Sequence, residues 1–305
     1  MNTPIQTTPS IQEHTHDNMT GASLRKELVC SEIWGGNKAG RNAVSLPNLD
    51  GFIHASPCHQ AYEGGDVYYL GACSGGLTGR LCLADVVGHG DDVAEVGQWF
   101  HQILRKRMNR INPAAIFNEV NRRVVEHGLG AMTTAICLSY DAIHSELHFA
   151  SAGHPPPLLF SSTTSQWSTL DMKVKDFNVA KQHRHVNLPL GVARETHYTV
   201  SRRNLHPGDR LFIYSDGLIE APNAQGELFG SKRLLDFLQE NHNKSGDILI
   251  SEVYDTVKDF AGVEQFKHDD ITMMQFVTTT PLQGPRIYHF LKNNFNKYFN
   301  TPSSI

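Results

Sequence analysis

The chain has 305 residues, 40% hydrophobic and 9% aromatic, enough for a sizeable core in one large domain or two small ones and too apolar for a disordered protein. Its 27 basic and 31 acidic residues leave a net charge of -4, which excludes the chain as a whole from electrostatic nucleic-acid binding. The five cysteines include no C-x-x-C pair, and Cys73, Cys82 and Cys137 lie in apolar strand-like runs, so reduced core thiols in a reducing compartment are expected.

In chain order, residues 1–24 are rich in Thr, Pro, Ser and Asn and read as a flexible arm. They lack the apolar core of a signal peptide, and no later run approaches the ~18 apolar residues of a membrane span. A soluble, cytoplasmic protein without a transmembrane segment is the expectation. From Cys30 the texture changes. "GFIHASP", "GGDVYYLGAC" and "GRLCLADVV" read as strands separated by glycines, with Ser74 to Gly79 as the hairpin loop between the last two.

Two helices follow. Val93, Val96, Phe100, Ile103, Leu104 and Met108 mark one face of a helix from Asp92 to about Asn109, with Asp91 or Asp92 as N-cap. "NPAAIFNEVNRRVVEHG" carries Asn112 as cap, Pro113 at the first helical position and Gly128 past the end. Its apolar face is Ile116, Phe117, Val120, Val124 and Val125. "AMTTAICLSY" and "ELHFASAG" read as strands joined by a turn near Asp141 to Ser145. "PPPLLF" opens a polar excursion from Ser161 to about Asn187. "THYTVSR" and "DRLFIYSD" read as strands flanking a Pro207–Gly208 turn. "SKRLLDFLQEN" and "GDILISEVYDTVKDFAG" read as helices, and "DDITMMQFV" as the last strand. Strands and helices come in blocks, which predicts an α+β fold with antiparallel sheets and segregated helices, not a βαβ nucleotide-binding fold.

Acids mark the ends of these strands. Asp66 follows two glycines in "EGGDVYY". Asp85 lies near the end of "LADVVGHG". Asp216 ends "RLFIYSDG", and Asp269 and Asp270 open the last strand. Taken singly, each suits a turn or a helix cap. Taken together they suggest one site. Two carboxylates ~4 Å apart repel by about 4 kcal/mol at an effective dielectric near 20, so several can share a site only if protonated or neutralised by cations. An all-oxygen set suits Mg²⁺ or Mn²⁺, and two such ions ~3.5–4 Å apart can bridge a water and clamp a phosphoryl group.

"EGGDVYYL", "LADVVGHG", "AMTTAICLSYD", "LHFASAGHPPPLL", "LPLGV", "LHPGDRLFIYSDGLIEA", "LFG" and "DDIT" occur in the order found in the metal-dependent (type 2C) protein serine/threonine phosphatases. The chain resembles their bacterial branch, typified by the sporulation stage II E phosphatase and the regulators of stress sigma factors, from about Glu63 to Val277. "SEIWGGN" at Ser31 extends the similarity. The resemblance implies a four-layer α-β-β-α sandwich of two antiparallel sheets over residues 25–280, with the arm before it and an amphipathic tail, 281–305, after it. It implies two, or three, Mn²⁺ or Mg²⁺ ions held by Asp66, by Asp85 as bridging ligand, by the Val86 backbone carbonyl, and by Asp216 and Asp269. Asp270 is then a supporting neighbour, though the reverse order of that pair stays open. Many relatives have glycine where Val86 stands, a change a backbone carbonyl tolerates.

The activity implied is hydrolysis of phosphoserine or phosphothreonine on a protein, through water bridging the two ions, with Asp66, Asp85, Asp216 and Asp269 as catalytic metal ligands. A phosphorylated anti-sigma-factor antagonist is the analogous substrate. A regulatory protein is expected to act through the two helices after "GHG" or through the tail, where Tyr288, Leu291, Phe295, Tyr298 and Phe299 share a face. His89 in the "GHG" turn stands at the rim of the site or in a plain tight turn. His154 is expected to bond backbone rather than metal. Thr133 and Thr134 pack beneath the site, and Asn223, Gly226 and Glu227 form a solvated loop or a substrate contact. Two other readings stay open: a catalytically weak phosphoprotein-binding scaffold that keeps the metal site, and a nucleotide phosphodiesterase. No phosphate-cradling glycine loop supports the latter.

Overall fold

Period-two alternation along the longest strands sends successive side chains to opposite faces, and two packed sheets follow from that sorting. The structure is a computed structural model describing residues 25–280 except 74, 88–90, 108, 129–131 and 171–184. The expected arm, the turn carrying His89 and the tail lie outside the described residues.

Four strands open the fold: β1 (Lys26–Glu27), β2 (Glu32–Lys38), β3 (Gly40–Leu46) and β4 (Leu49–Ser56). A hairpin, β5 (Glu63–Cys73) and β6 (Thr78–Val86), leads to α1 (Asp91–Lys106) and α2 (Ala114–His127). Then come β7 (Thr133–Asp141), β8 (Glu146–Ala152), β9 (Leu158–Ser161), β10 (Gln166–Thr169), β11 (Ser201–Asn204) and β12 (Arg210–Tyr214). One turn of helix, α3 (Asp216–Ile219), precedes α4 (Gly230–Glu240), α5 (Gly246–Ala261) and β13 (Ile271–Thr278). One sheet runs β1-β3-β4-β13-β12-β9-β10, the other β11-β8-β7-β6-β5-β2. Pairings between these strands are antiparallel except β1 with β3. The last strand, β13, lies between β4 and β12.

Three apolar layers hold this α-β-β-α sandwich together. Between the sheets lie Leu49, Ile53, Leu70, Leu81, Leu83, Ile136, Leu138, Ile213, Met274 and Phe276. α1 and α2 cover the second sheet through Val96, Phe100, Ile103, Phe117 and Val120 against Val67, Ala84 and Cys137. α4 and α5 cover the first through Leu234, Leu238, Leu249, Ile250 and Val253 against Phe212 and Met273. Burying a side chain of this size contributes about 1.5–3 kcal/mol. Among the described residues no helix is long and apolar enough to cross a membrane, and Cys30, Cys58, Cys82 and Cys137 are free thiols.

The helix signals mostly hold. Asn112 Oδ1 accepts from the Ala114 N–H at 2.9 Å, Pro113 has helical dihedrals, and Gly128 closes α2 with φ 63°. α1 ends at Lys106, short of Asn109, because the buried Arg80 guanidinium takes the Arg107 and Arg110 carbonyls just beyond it. That cation sits where a helix C-terminus favours positive charge.

Strand prediction was less complete. β2 and β3 were missed because Gly35, Gly36 and Gly40 erase the alternation; Gly35 has φ 138°, and a Cβ there would collide with the Tyr68 carbonyl. β10 lies inside the polar excursion and buries Trp167 alone. "THYTVSR" forms a strand only from Ser201. Its first half is tied instead to Asn187, which accepts from the Thr199 N–H at 2.9 Å and donates to the Thr199 hydroxyl at 2.8 Å.

Candidate metal centre

Strand parity places the acids. In β6, Leu81 and Leu83 face the layer between the sheets, so Asp85, two residues on, continues that face. In β5, Tyr68 and Leu70 face it too, and Asp66 continues it in the other direction. Asp66 and Asp85 are direct cross-strand partners, and Asp85 is opposite Thr134 on β7. From the other sheet, Ile213 and Met274 face inward, and Ser215 and Thr272 prolong their rows. Beyond them stand Asp216, opening α3, and Asp269 and Asp270, just before β13. The strand ends of both sheets thus bring all five predicted acids to one end of the interior layer.

Asp270 is committed to backbone. Its Oδ1 accepts from the Cys58 N–H at 2.6 Å and its Oδ2 from the Gly65 N–H. That explains the paired glycines before Asp66: a Cβ on Gly64 would lie 2.6 Å from Asp270 Oδ2, and one on Gly65 3.0 Å from the Val86 carbonyl oxygen and 3.8 Å from Asp85 Oδ1. The Val86 carbonyl therefore shares the space of the acids. Asp269 is less buried; its Oδ1 accepts from the Asp270 N–H at 2.8 Å.

Electrostatics ties the group together. Burial first, and then Asp216, Asp269, Asp270 and Glu220, push Asp85 up to about 7. Burial and then Asp85 hold Asp66 well above the usual carboxylate range, against a downward pull from the Ser215 and Thr272 hydroxyls. Asp269 is raised by burial first and then by Asp216 and Asp270. The Cys58 thiol beside Asp270 is pushed up to about 11, by burial first. Like charges gathered in a half-dry pocket hold protons unless cations replace them.

The residues fit divalent cations on two observations. The donors are all oxygen, the set that hard ions take. Asp66 is buried, yet its Oδ2 has no hydrogen-bond partner, a costly state for a carboxylate oxygen. The side chains form an open cradle: among the described residues no three acidic, thiol or imidazole groups close around one point as they stand.

Beneath the acids a clamp joins the sheets. The Tyr214 carbonyl can only accept, so His154 Nε2 carries the proton and donates to it at 3.1 Å. Burial pushes His154 down to about 3, so the ring is neutral and Nδ1 accepts from the Thr134 hydroxyl at 2.9 Å. His154 thus bonds backbone, as its setting suggested, and positions the residues leading to Asp216. Thr133 pairs with Val86 and exchanges backbone bonds with Leu190 of "LPLGV". Asn223 Oδ1 accepts from the N–H groups of Gln225 and Glu227, and the exposed loop closes on itself. Sequence reading missed Ser215, Thr272 and Glu220. Continuing the alternation of β12 and β13 by one step was the available signal for the first two; Glu220, just past the end of a one-turn helix too short to show a period, had none.

The chain is similar in sequence and fold to several known proteins. Residues 77–278 match the family model described as Stage II sporulation protein E (SpoIIE). Phosphoserine phosphatase RsbU of Bacillus subtilis (strain 168) is 24% identical over 199 residues, covering 64% of this chain and 54% of that protein. The chain therefore spans about half the length of this relative. Among solved structures, the RsbU and RsbW domains of a Mycobacterium tuberculosis protein have a TM-score of 0.63 at 22% identity, covering 81% of this chain and 64% of that one. The catalytic domain of serine/threonine protein phosphatase PstP in complex with two manganese ions has a TM-score of 0.51 at 16% identity, covering 76% of this chain and 99% of that one. Identities this low speak for the fold alone.

Proposed function

We propose, from the premise that this chain belongs to the stage II sporulation protein E (SpoIIE) family of PP2C-type phosphatases, that it hydrolyses phosphoserine or phosphothreonine on a protein with two divalent ions, Mn²⁺ or Mg²⁺. The observation that carries this reading is the cluster of mutually repelling carboxylates around a buried Asp66 oxygen that no donor serves. Asp66, Asp85, Asp216, Asp269 and the Val86 carbonyl are the residues that would hold the ions. Asp270 is assigned the supporting role, because both its oxygens already accept backbone N–H groups. When bound, such ions neutralise phosphate charge and lower the pKa of water for in-line attack.

The chain's own residues then have separate tasks. Asp85 faces both sheets' acids and joins the two halves of the cradle. Asp270 holds the Gly64–Gly65 start of β5 and so the direction of Asp66. The neutral His154 fixes the residues that deliver Asp216. In family analogy the substrate is a small phosphorylated regulator of sigma-factor signalling, and residues 25–280 form the phosphatase unit. A regulatory partner acting on α1 and α2 has a direct route inward: α1 packs on β5, with His101 against Tyr69 and the α1 core against Val67, next to Asp66.

The test is Mn²⁺-dependent phosphate release from an aryl phosphate and a phosphoserine peptide, by wild type and Asp216→Asn. Release lost in the variant supports the reading. No release from either substrate by wild type favours a phosphoprotein scaffold, and turnover of nucleotides alone favours a phosphodiesterase.

A further inference from the structure

Beside the acid cluster runs a groove of about 530 Å³ that hydrolysis of a small phosphoester does not need. Asp216 forms part of one wall, so the groove is continuous with the site. Ile219 on α3 and Leu235 on α4 are partly buried members of the outer core that line it, together with Pro155 and Pro156. Glu220 adds a second acid to the wall; it is exposed and pairs with no cation among the described residues. The lysine of the lining, Lys232, is already held by Asp236 at 2.5 Å. The groove therefore offers apolar surface beside one acid, Glu220, that is unpaired among the described residues.

We propose that this groove receives the stretch of substrate chain beside the phosphorylated residue, selecting an apolar side chain there and rejecting an acidic one. The inference rests on the phosphoprotein phosphatase reading above. A phosphoester placed among Asp85, Asp216 and Asp269 leaves its flanking residues at the Asp216 wall. An apolar flank gains contact with Ile219, Leu235 and the two prolines. An Asp or Glu flank loses that contact and meets the exposed Glu220.

The test uses the full chain with Mn²⁺ and two phosphoserine peptides differing only in one flanking residue, Leu or Asp, with an aryl phosphate as flank-free substrate. In wild type, kcat/KM for the Leu peptide exceeds that for the Asp peptide by about tenfold or more, the scale of discrimination one apolar pocket provides. Leu235→Ala and the surface change Pro156→Glu each shrink that ratio. Equal kcat/KM for the two peptides, or a ratio unchanged in both variants, overturns the proposal. Fluorescence anisotropy with phosphonate analogues of the same peptides reads binding without turnover. Phosphate release without a flank preference removes the groove and leaves the phosphatase reading. A flank preference in binding without release from any substrate removes the phosphatase reading and leaves the groove a peptide site.

Discussion

Asp66 and Asp209 are both buried carboxylates, 5% and 4% exposed, yet they serve the fold in opposite ways. Asp209, in the Pro207–Gly208 turn before β12, is fully engaged. Its Oδ1 accepts from the Ser162 N–H at 2.8 Å and the Ser162 hydroxyl at 2.9 Å, and its Oδ2 from the His206 N–H at 2.8 Å. Asp66 sits against Asp85 with one oxygen that nothing serves. Burial does not separate a structural acid from a functional one; the satisfaction of its oxygens does. Asp209 stabilises a turn, whereas Asp66 keeps a buried oxygen unserved, as the proposed ion site requires.

This contrast can be broken by substitution. The largest expected effect is on turnover: Asp66→Asn and Asp85→Asn each lower kcat/KM by about 10³-fold, or ~4 kcal/mol of barrier, while the melting temperature in chelator stays level or rises. A melting temperature that drops as far as that of an Asp209 variant would place Asp66 among the structural acids. Next in size, Asp209→Ala leaves two backbone N–H groups without acceptors and costs about 2–4 kcal/mol of stability by denaturant titration. Its turnover per folded molecule is unchanged.

A subtler separation comes from pH. In chelator, Asp85 is raised from 3.8 to about 7, so the native chain keeps a proton the unfolded chain has released; this stability is full below about 4 and is lost as pH rises towards 7. His154, lowered from 6.5 to about 3, works the other way: below 6.5 the unfolded chain takes up a proton that the native one refuses, so stability falls on acidification. Saturating Mn²⁺ removes the Asp85 penalty and leaves the His154 one. Thermal melts are expected to show a larger Mn²⁺ stabilisation near about pH 7.5 than near about pH 5.5, where protons compete for the carboxylates. Equal stabilisation at both would remove Asp85 from the ion site. The smallest effect is Asn223→Ala in the self-closed loop, within about 0.5 kcal/mol of wild type and without change in turnover.

The sequence made the acids legible for a local reason. Each stands where an apolar run meets glycine or a turn, so Asp66, Asp85, Asp216 and the Asp269–Asp270 pair are visible one strand at a time. Their grouping was not visible, because it depends on which strands face each other across the layer and on parity shared by β5, β6, β12 and β13. The Asp270 hydrogen bonds to Cys58 and Gly65 likewise join positions more than 200 residues apart. In the fold, α2 was readable because Asn112, Pro113 and Gly128 act within a few residues of themselves. β2, β3 and β10 were not: they are strands by virtue of their neighbours, with glycine or polar side chains where a period would show.

The place of β13 in the middle of its sheet has a consequence for timing. Synthesis reaches residue 271 only after every other described strand of the two sheets has been made, and until then β4 and β12 lack the partner that separates them. Asp269 and Asp270 arrive with that same segment. A nascent chain that has not yet reached residue 271 therefore holds an unfinished sheet and an incomplete cluster of acids, and one segment completes both.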